Sequence, residues 1–158
     1  MASKAARLKR LLNFYPAFLG AGIRARHVAE DFRLVEVEMP LHFWNRNYVG
    51  THFGGSLYSM CDPFFMIMLI NNLGPDYIVW DKAATIRFKR PGKGTMKACF
   101  RLPEERVAEI RAQADAGGKV EPTFTVQVTD AEGNVVAEVE KLLYVRRKDP
   151  VRSDQPKP

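Results

Sequence analysis

The chain has 158 residues, 46% hydrophobic and 27% charged, with a net charge of +6 at neutral pH, the composition of an ordinary globular protein. That length buries a sizeable core without a disulfide or metal staple and argues for one domain. Disorder, collagen and coiled coil are excluded by plentiful apolar residues and the lack of a glycine period or sustained heptad, and the longest strictly apolar run, residues 64–70, is too short to span a bilayer.

At the N-terminus Lys4, Arg7, Lys9 and Arg10 precede an apolar stretch, residues 11–23, that Asn13 and Pro16 interrupt. No small-x-small cleavage site follows, so the segment reads as an amphipathic helix over residues 3–20, breaking at Pro16, in preference to a secretion signal; the lack of any acid before Glu30 is a feature shared with transit peptides. The period then changes to two. Residues 23–30 and 32–39 read as strands about a turn at Asp31, with Arg33, Val35, Val37 and Met39 alternating against Leu34, Glu36 and Glu38. Residues 40–55 form a loop rich in Asn, Gly and aromatics, longer than a hairpin needs, and ordered loops of that length often carry function. Residues 55–73 are apolar on nearly every face and predict a helix buried all round. Strands follow over 77–90 and 95–102, joined by a turn at 91–94. A short helix over 103–116, with Glu104 and Glu105 in its first turn, leads to closing strands over 120–129 and 135–147. The tail from 148 is Pro-rich and charged and is expected to be disordered. This order predicts an antiparallel sheet wrapped around the buried helix.

Residues 82–101 carry seven Lys or Arg and no acid. Such a stripe suits a phosphate-bearing small molecule, a nucleic acid, or simply a solvated strand face. Only Phe88 and Phe100 interleave with it and no RNA-binding signature is present, which weighs against nucleic acid. Cys61 and Cys99 lie far apart, and the three histidines lack metal-ligand spacing. A zinc site is therefore not expected, and two lone thiols fit a reducing, cytoplasmic compartment.

Two consecutive glycines, Gly54 and Gly55, stand at the predicted helix start. There they make either a tight turn or an approach to free backbone N–H groups, with the Gly55 N–H placed as an oxyanion donor. Asp62 lies in an apolar stretch and so needs a partner, water or a task. It serves as general base, as nucleophile, or as an N-cap ahead of Pro63. Asn47 is a candidate to orient water or substrate and Arg46 or His52 to supply charge, though each is equally a loop former. Ser56 and Ser59 stand outside a G-x-S-x-G elbow, Cys61 reads as core filler, and Met60, Met66 and Met68 suit a core or an acyl pocket.

The stretch NRNYVGTHFGGSLYSMCD, residues 45–62, resembles the central motif of hotdog-fold acyl-CoA thioesterases of the phenylacetate-degradation type. Their pattern is an Asn, a short loop, His-Gly-Gly, and an Asp seven residues after the second Gly. Asn47, Gly54, Gly55 and Asp62 fall on those positions, whereas Phe53 stands where His is usual and Pro63 is foreign to the central helix. The resemblance implies an α+β hotdog fold, an antiparallel sheet around a long central helix, over residues 23–147, with a helical extension at 1–22 and the tail at 148–158. It implies an acyl-CoA thioesterase in which water attack is aided by Asp62, Asn47 and an oxyanion site at Gly55. Gly54, His52, Arg46, Lys89 and Arg90 are then substrate-binding, the last two at the CoA phosphates, and no metal or prosthetic group is required. It also implies a homodimer, or a tetramer of paired dimers, with the site between subunits. Phe53 and Pro63 favour an alternative of the same fold, a non-catalytic module that binds or senses acyl groups.

Overall fold

Capping and proline placement define the N-terminal elements of the computed structural model, which describes residues 2–148. Ser3 accepts the Ala6 amide at 3.1 Å and opens helix α1 (Lys4–Asn13). Pro16 opens helix α2 (Pro16–Ala21), so the segment expected over 3–20 is two helices broken where expected. Gly22 ends α2 at φ +76°, and a Cβ there would lie 2.7 Å from the Asn45 Nδ2, which only glycine avoids. Asn13 ties α1 to the sheet: its Oδ1 accepts the Ala25 amide at 2.7 Å and its Nδ2 donates to the Ala25 carbonyl at 3.1 Å. Beyond Lys148, the tail expected from 148 onward lies outside the described residues.

Strands β1 (Arg24–Val28) and β2 (Leu34–Met39) precede the 40–53 loop. The helix expected over 55–73 is divided into α3 (Gly54–Ser59) and α4 (Phe64–Leu73). Pro63 causes the interruption, because it has no N–H for the Ser59 carbonyl and its ring crowds that carbonyl. Then come β3 (Tyr77–Phe88), β4 (Met96–Arg101), α5 (Glu104–Asp115), β5 (Thr123–Thr129) and β6 (Val135–Arg147). The strands form one sheet in the order β1-β2-β4-β5-β6-β3, with every neighbouring pair antiparallel.

Alternation sets the inner face. Val35, Val37 and Met39 of β2, Met96, Ala98 and Phe100 of β4, and Phe124, Val126 and Val128 of β5 are all buried against the central helices. The Phe64 and Phe65 rings of α4 lie 4.8 and 5.3 Å from Phe100, and Phe65 stacks on Phe124 at 4.7 Å. Each such ring contributes roughly 1.5–3 kcal/mol by burial. On β6 the inward row is Ala137, Val139, Lys141, Leu143 and Val145, every one of them fully buried, including the lysine.

Of the irregularities in the sheet, two bear on the site and its surroundings. In β3 a bulge between Asp81 and Ala83 leaves Lys82 out of the ladder, so the positions on the face of the inward β6 row are Val79 and Asp81 before it and Ala84, Ile86 and Phe88 after it, with Ala84 and Phe88 still exposed. Between β4 and β5 the ladder is short, with only Lys97 to Thr129 and Ala98 to Val128 paired. At the other edge β3 is twelve residues long and, among the described residues, pairs only with β6; Trp80, Ala83 and Thr85 are exposed. No helix among the described residues is long and apolar enough to cross a membrane.

Candidate active site

The 40–53 loop is held by its own polar residues. Asn45 is buried, with its Nδ2 donating to the Ala21 and Pro40 carbonyls, both at 2.9 Å, and its Oδ1 accepting the His42 amide at 2.7 Å. Asn47 organises the next turn: its Oδ1 accepts the amides of Val49 and Thr51, and its Nδ2 donates to the Thr51 hydroxyl and the His52 carbonyl. His52 is 3% exposed; its ring Nε2–H donates to the Gly94 carbonyl at 2.8 Å and its amide to the Gly92 carbonyl at 2.9 Å. Burial lowers its pKa despite that ring hydrogen bond, keeping it neutral. The polar groups of Asn47 and His52 thus serve the loop and its docking on the β3–β4 turn, where sequence reasoning had them also facing substrate.

That docking sets Gly54 and Gly55 at the first turn of α3. A Cβ on Gly54 would lie 3.0 Å from the Phe88 ring, and one on Gly55 only 2.5 Å from the Phe53 ring. Both glycines are therefore sites of close aromatic approach, and Phe53, more than half exposed, is the ring over Gly55. The Phe53 carbonyl accepts the amides of Ser56 and Leu57, which leaves the Gly54 and Gly55 N–H groups as the uncommitted donors of the turn.

The candidates distribute over three hollows around α3. Gly55, Arg46 and Asn47 border one of about 470 Å³. Gly54, Asn47 and His52 border a second, of about 660 Å³, together with Lys89, Arg90 and Lys93. Asp62 opens on a third, of about 360 Å³, walled by Leu12, Tyr15, Phe18 and Pro63. A larger hollow, about 780 Å³, lies near the end of α5, where Asp115 is tied to Tyr77 and Arg147; it shares no residue with the candidates.

Asp62 does not cap α4; no side chain caps that helix. Its Oδ1 instead accepts the Tyr58 hydroxyl at 2.6 Å and the Lys141 ammonium at 2.8 Å. The same ammonium lies 3.1 Å from the Asp81 Oδ1 and donates to the Tyr58 hydroxyl at 3.2 Å. Burial alone would raise the Asp62 carboxyl, but the hydrogen bonds from Lys141 and Tyr58 hold it below the usual carboxylate range. Asp81 goes the other way, raised by burial and by the charge of Asp62 against the pull of Lys141. Burial pushes the neighbouring Cys61 thiol up to about 12, so it is inert, in line with its reading as core filler.

Sequence reasoning missed Tyr58, Asp81 and Lys141. The available signal was Lys141, a charge on the inward row of an otherwise apolar alternating strand. Among the described residues no group of three or more His, Cys, Asp or Glu gathers as a metal site.

A family profile described as a domain of unknown function, DUF4442, matches residues 4–145. No curated protein matches the chain. Among solved structures, a Pseudomonas aeruginosa protein of unknown function, PA5026, described as a probable thioesterase, is 28% identical with a TM-score of 0.80, covering 93% of this chain and 98% of that one. HI1161, a thioesterase from Haemophilus influenzae, is 14% identical with a TM-score of 0.67, covering 96% of each chain. A protein of unknown function from Chlorobaculum tepidum is 17% identical with a TM-score of 0.72, covering 92% of this chain and 94% of that one. The sheet order and central helices are those of the hotdog fold that the 45–62 motif resembles.

Proposed function

We propose that this chain, which belongs to the DUF4442 family, is a thioesterase that hydrolyses an acyl-CoA to a carboxylic acid and free CoA. One observation carries the reading: α3 has uncommitted glycine N–H groups at its start and, just past its end, a carboxylate held ionised by a buried lysine. The likeness to a probable thioesterase over 98% of that chain supports it.

Water attacks the thioester carbonyl and its proton passes to Asp62. The Gly55 N–H takes the negative charge that develops on the carbonyl oxygen, and collapse of the intermediate expels the CoA thiolate. As nucleophile, Asp62 would instead form an anhydride that water opens; both routes need the ionised carboxylate. Arg46 flanks the Gly55 hollow, and Lys89 and Arg90 at the Gly54 groove suit the CoA phosphates. Asn47 contributes by fixing the loop that presents the glycines. No metal or prosthetic group enters this chemistry.

Gly55 stands in the first turn of α3 and Asp62 lies past its end, each on a different hollow. The proposed site is composite, Gly55 from one copy facing Asp62 from another. The long unpaired edge of β3 supports a homodimer built by strand pairing, or a tetramer of such dimers. Two free thiols fit a reducing, cytoplasmic setting.

The Phe53 ring against Gly55 favours a second reading, a non-catalytic acyl-binding module of the same fold. A panel of acyl-CoA substrates assayed for thiol release, with Asp62→Asn alongside, separates the two. Hydrolysis should fall roughly 10²- to 10⁴-fold in the variant, while Asp81 remains as a counterion for Lys141. Wild-type turnover in Asp62→Asn refutes the mechanism, and binding without turnover in the parent chain supports the module.

A further inference from the structure

We propose that Lys141 is a positioning residue of the thioester site, gripping Asp62 by Oδ1 alone and dividing its charge between Asp62 and Asp81, so that the second carboxylate oxygen of Asp62 is delivered to the substrate. The inference rests on the thioesterase reading.

A lysine at the centre of an apolar row needs a reason. Burying an ammonium costs several kcal/mol even after relaxation, and a well-packed apolar residue of similar volume commonly serves stability as well or better. Lys141 is nonetheless fully buried, between Val139 and Leu143 on the inward face of β6. Its contacts come from three separate parts of the chain: Tyr58 on α3, Asp62 in the break that Pro63 makes, and Asp81 just before the β3 bulge.

The grip is asymmetric. Both the Lys141 and the Tyr58 hydrogen bonds fall on the Asp62 Oδ1, and among the described residues its Oδ2 has no partner. The Asp62 side chain is 47% exposed and borders the hollow of Leu12, Tyr15 and Phe18. Asp81 is held chiefly by charge, its Oδ1 lying 3.1 Å from the same ammonium. The titratable groups facing Asp62 are thus Tyr58, Cys61, Asp81 and Lys141, with Tyr15 across the hollow. Tyr58 is raised chiefly by burial and Cys61 is pushed to about 12, so both stay neutral. The charge on Asp62 is left to the contest between one lysine and one rival carboxylate, and the opposite directions of the two carboxyls fit that division.

Each perturbation then has a definite sign. Removing the cation removes the chief group that lowers Asp62, leaving only the Tyr58 hydrogen bond, so its carboxyl rises; removing the rival charge leaves the lysine to Asp62, so its carboxyl falls. The test is the pH dependence of kcat/KM by thiol release, with 13C NMR titration of the Asp62 carboxyl, for the full chain and its Lys141→Met and Asp81→Asn variants. In Lys141→Met the acid limb and the carboxyl titration should both move up by roughly 1 to 3 pH units. In Asp81→Asn both should move down. A merely structural lysine moves the carboxyl titration and leaves the rate profile where it was. Asp81→Asn keeps the cation, so its downward movement carries the test even where Lys141→Met does not fold. A carboxyl indifferent to both substitutions, or moving the same way in both, overturns the grip. A carboxyl that moves as stated beside an unmoved rate profile overturns the role in the reaction. A parent chain inactive on every thioester removes the thioesterase reading, while the NMR titration still decides the grip.

Discussion

Gly55→Ala sets stability and activity against each other in amounts that the structure fixes. The new Cβ would lie 2.5 Å from the Phe53 Cε1, so the ring has to turn away. Phe53 is 58% exposed, and full burial of a Phe is worth roughly 1.5–3 kcal/mol, so losing the remaining two fifths costs up to about 1 kcal/mol. Alanine in a helix is better than glycine by about 1 kcal/mol, less in the first turn. These terms nearly cancel, and the thermal midpoint should stay within roughly 4 °C of the parent. Activity has no such compensation. The methyl and the Phe53 ring it displaces crowd the approach to the Gly55 N–H, and loss of one oxyanion donor lowers kcat by about 10²- to 10³-fold. The assay is thiol release at saturating acyl-CoA, with calorimetry on the same samples. In a Phe53→Ala background the Cβ meets no ring, and the stability effect should become the helix gain alone, which makes the pair a double-mutant cycle. Parent-like turnover in Gly55→Ala would refute the oxyanion role, and a midpoint lower by about ten degrees would refute the packing argument.

Other outcomes depend on the placement of the remaining residues. Lys89→Ala with Arg90→Ala should raise KM for acyl-CoA more than it lowers kcat, because contacts with a remote phosphate bind ground and transition states alike; an unchanged KM puts CoA elsewhere. Light scattering should find a dimer or larger at micromolar concentration, and a monomer would sink both the β3 pairing and the shared site. Titration with an aromatic disulfide should find one fast thiol, Cys99, and the second only in denaturant, since Cys61 is buried with its thiol pushed up to about 12; two fast thiols in the native chain contradict the packing of the segment between α3 and α4.

The parts that the sequence made readable were those in which one chain segment decides its own structure. The alternation Phe124, Val126, Val128 declared an inward face, and Pro16 declared a helix break. What escaped depends on segments far apart. Lys141 meets Asp62 across 79 positions, and only the register of β6 against the helices reveals it. β3 conceals its two faces because the bulge at Lys82 shifts the inward positions from odd to even numbers. Residue type identified Asn47 and His52, but type does not say whether an amide or a ring serves the loop or a ligand. Asp62 had a fair claim as an N-cap until the stronger pull of a buried ammonium was in view.

The brief pairing of β4 with β5 has a mechanical consequence. With the ladder confined to residues 97–98 and 128–129, the sheet is two three-stranded halves, one of β1, β2 and β4 and the other of β5, β6 and β3. A seam with so few rungs opens at lower free energy than the long β3–β6 ladder, and amide hydrogens along it should exchange with solvent sooner. What closes the seam from inside is aromatic: Phe100 belongs to one half, Phe124 to the other, and Phe65 touches both. The halves are joined there by a wedge of side chains more than by backbone. The angle between them can change when that wedge rotates, and Phe65 is carried by α4, the helix that begins just after Asp62 and Pro63.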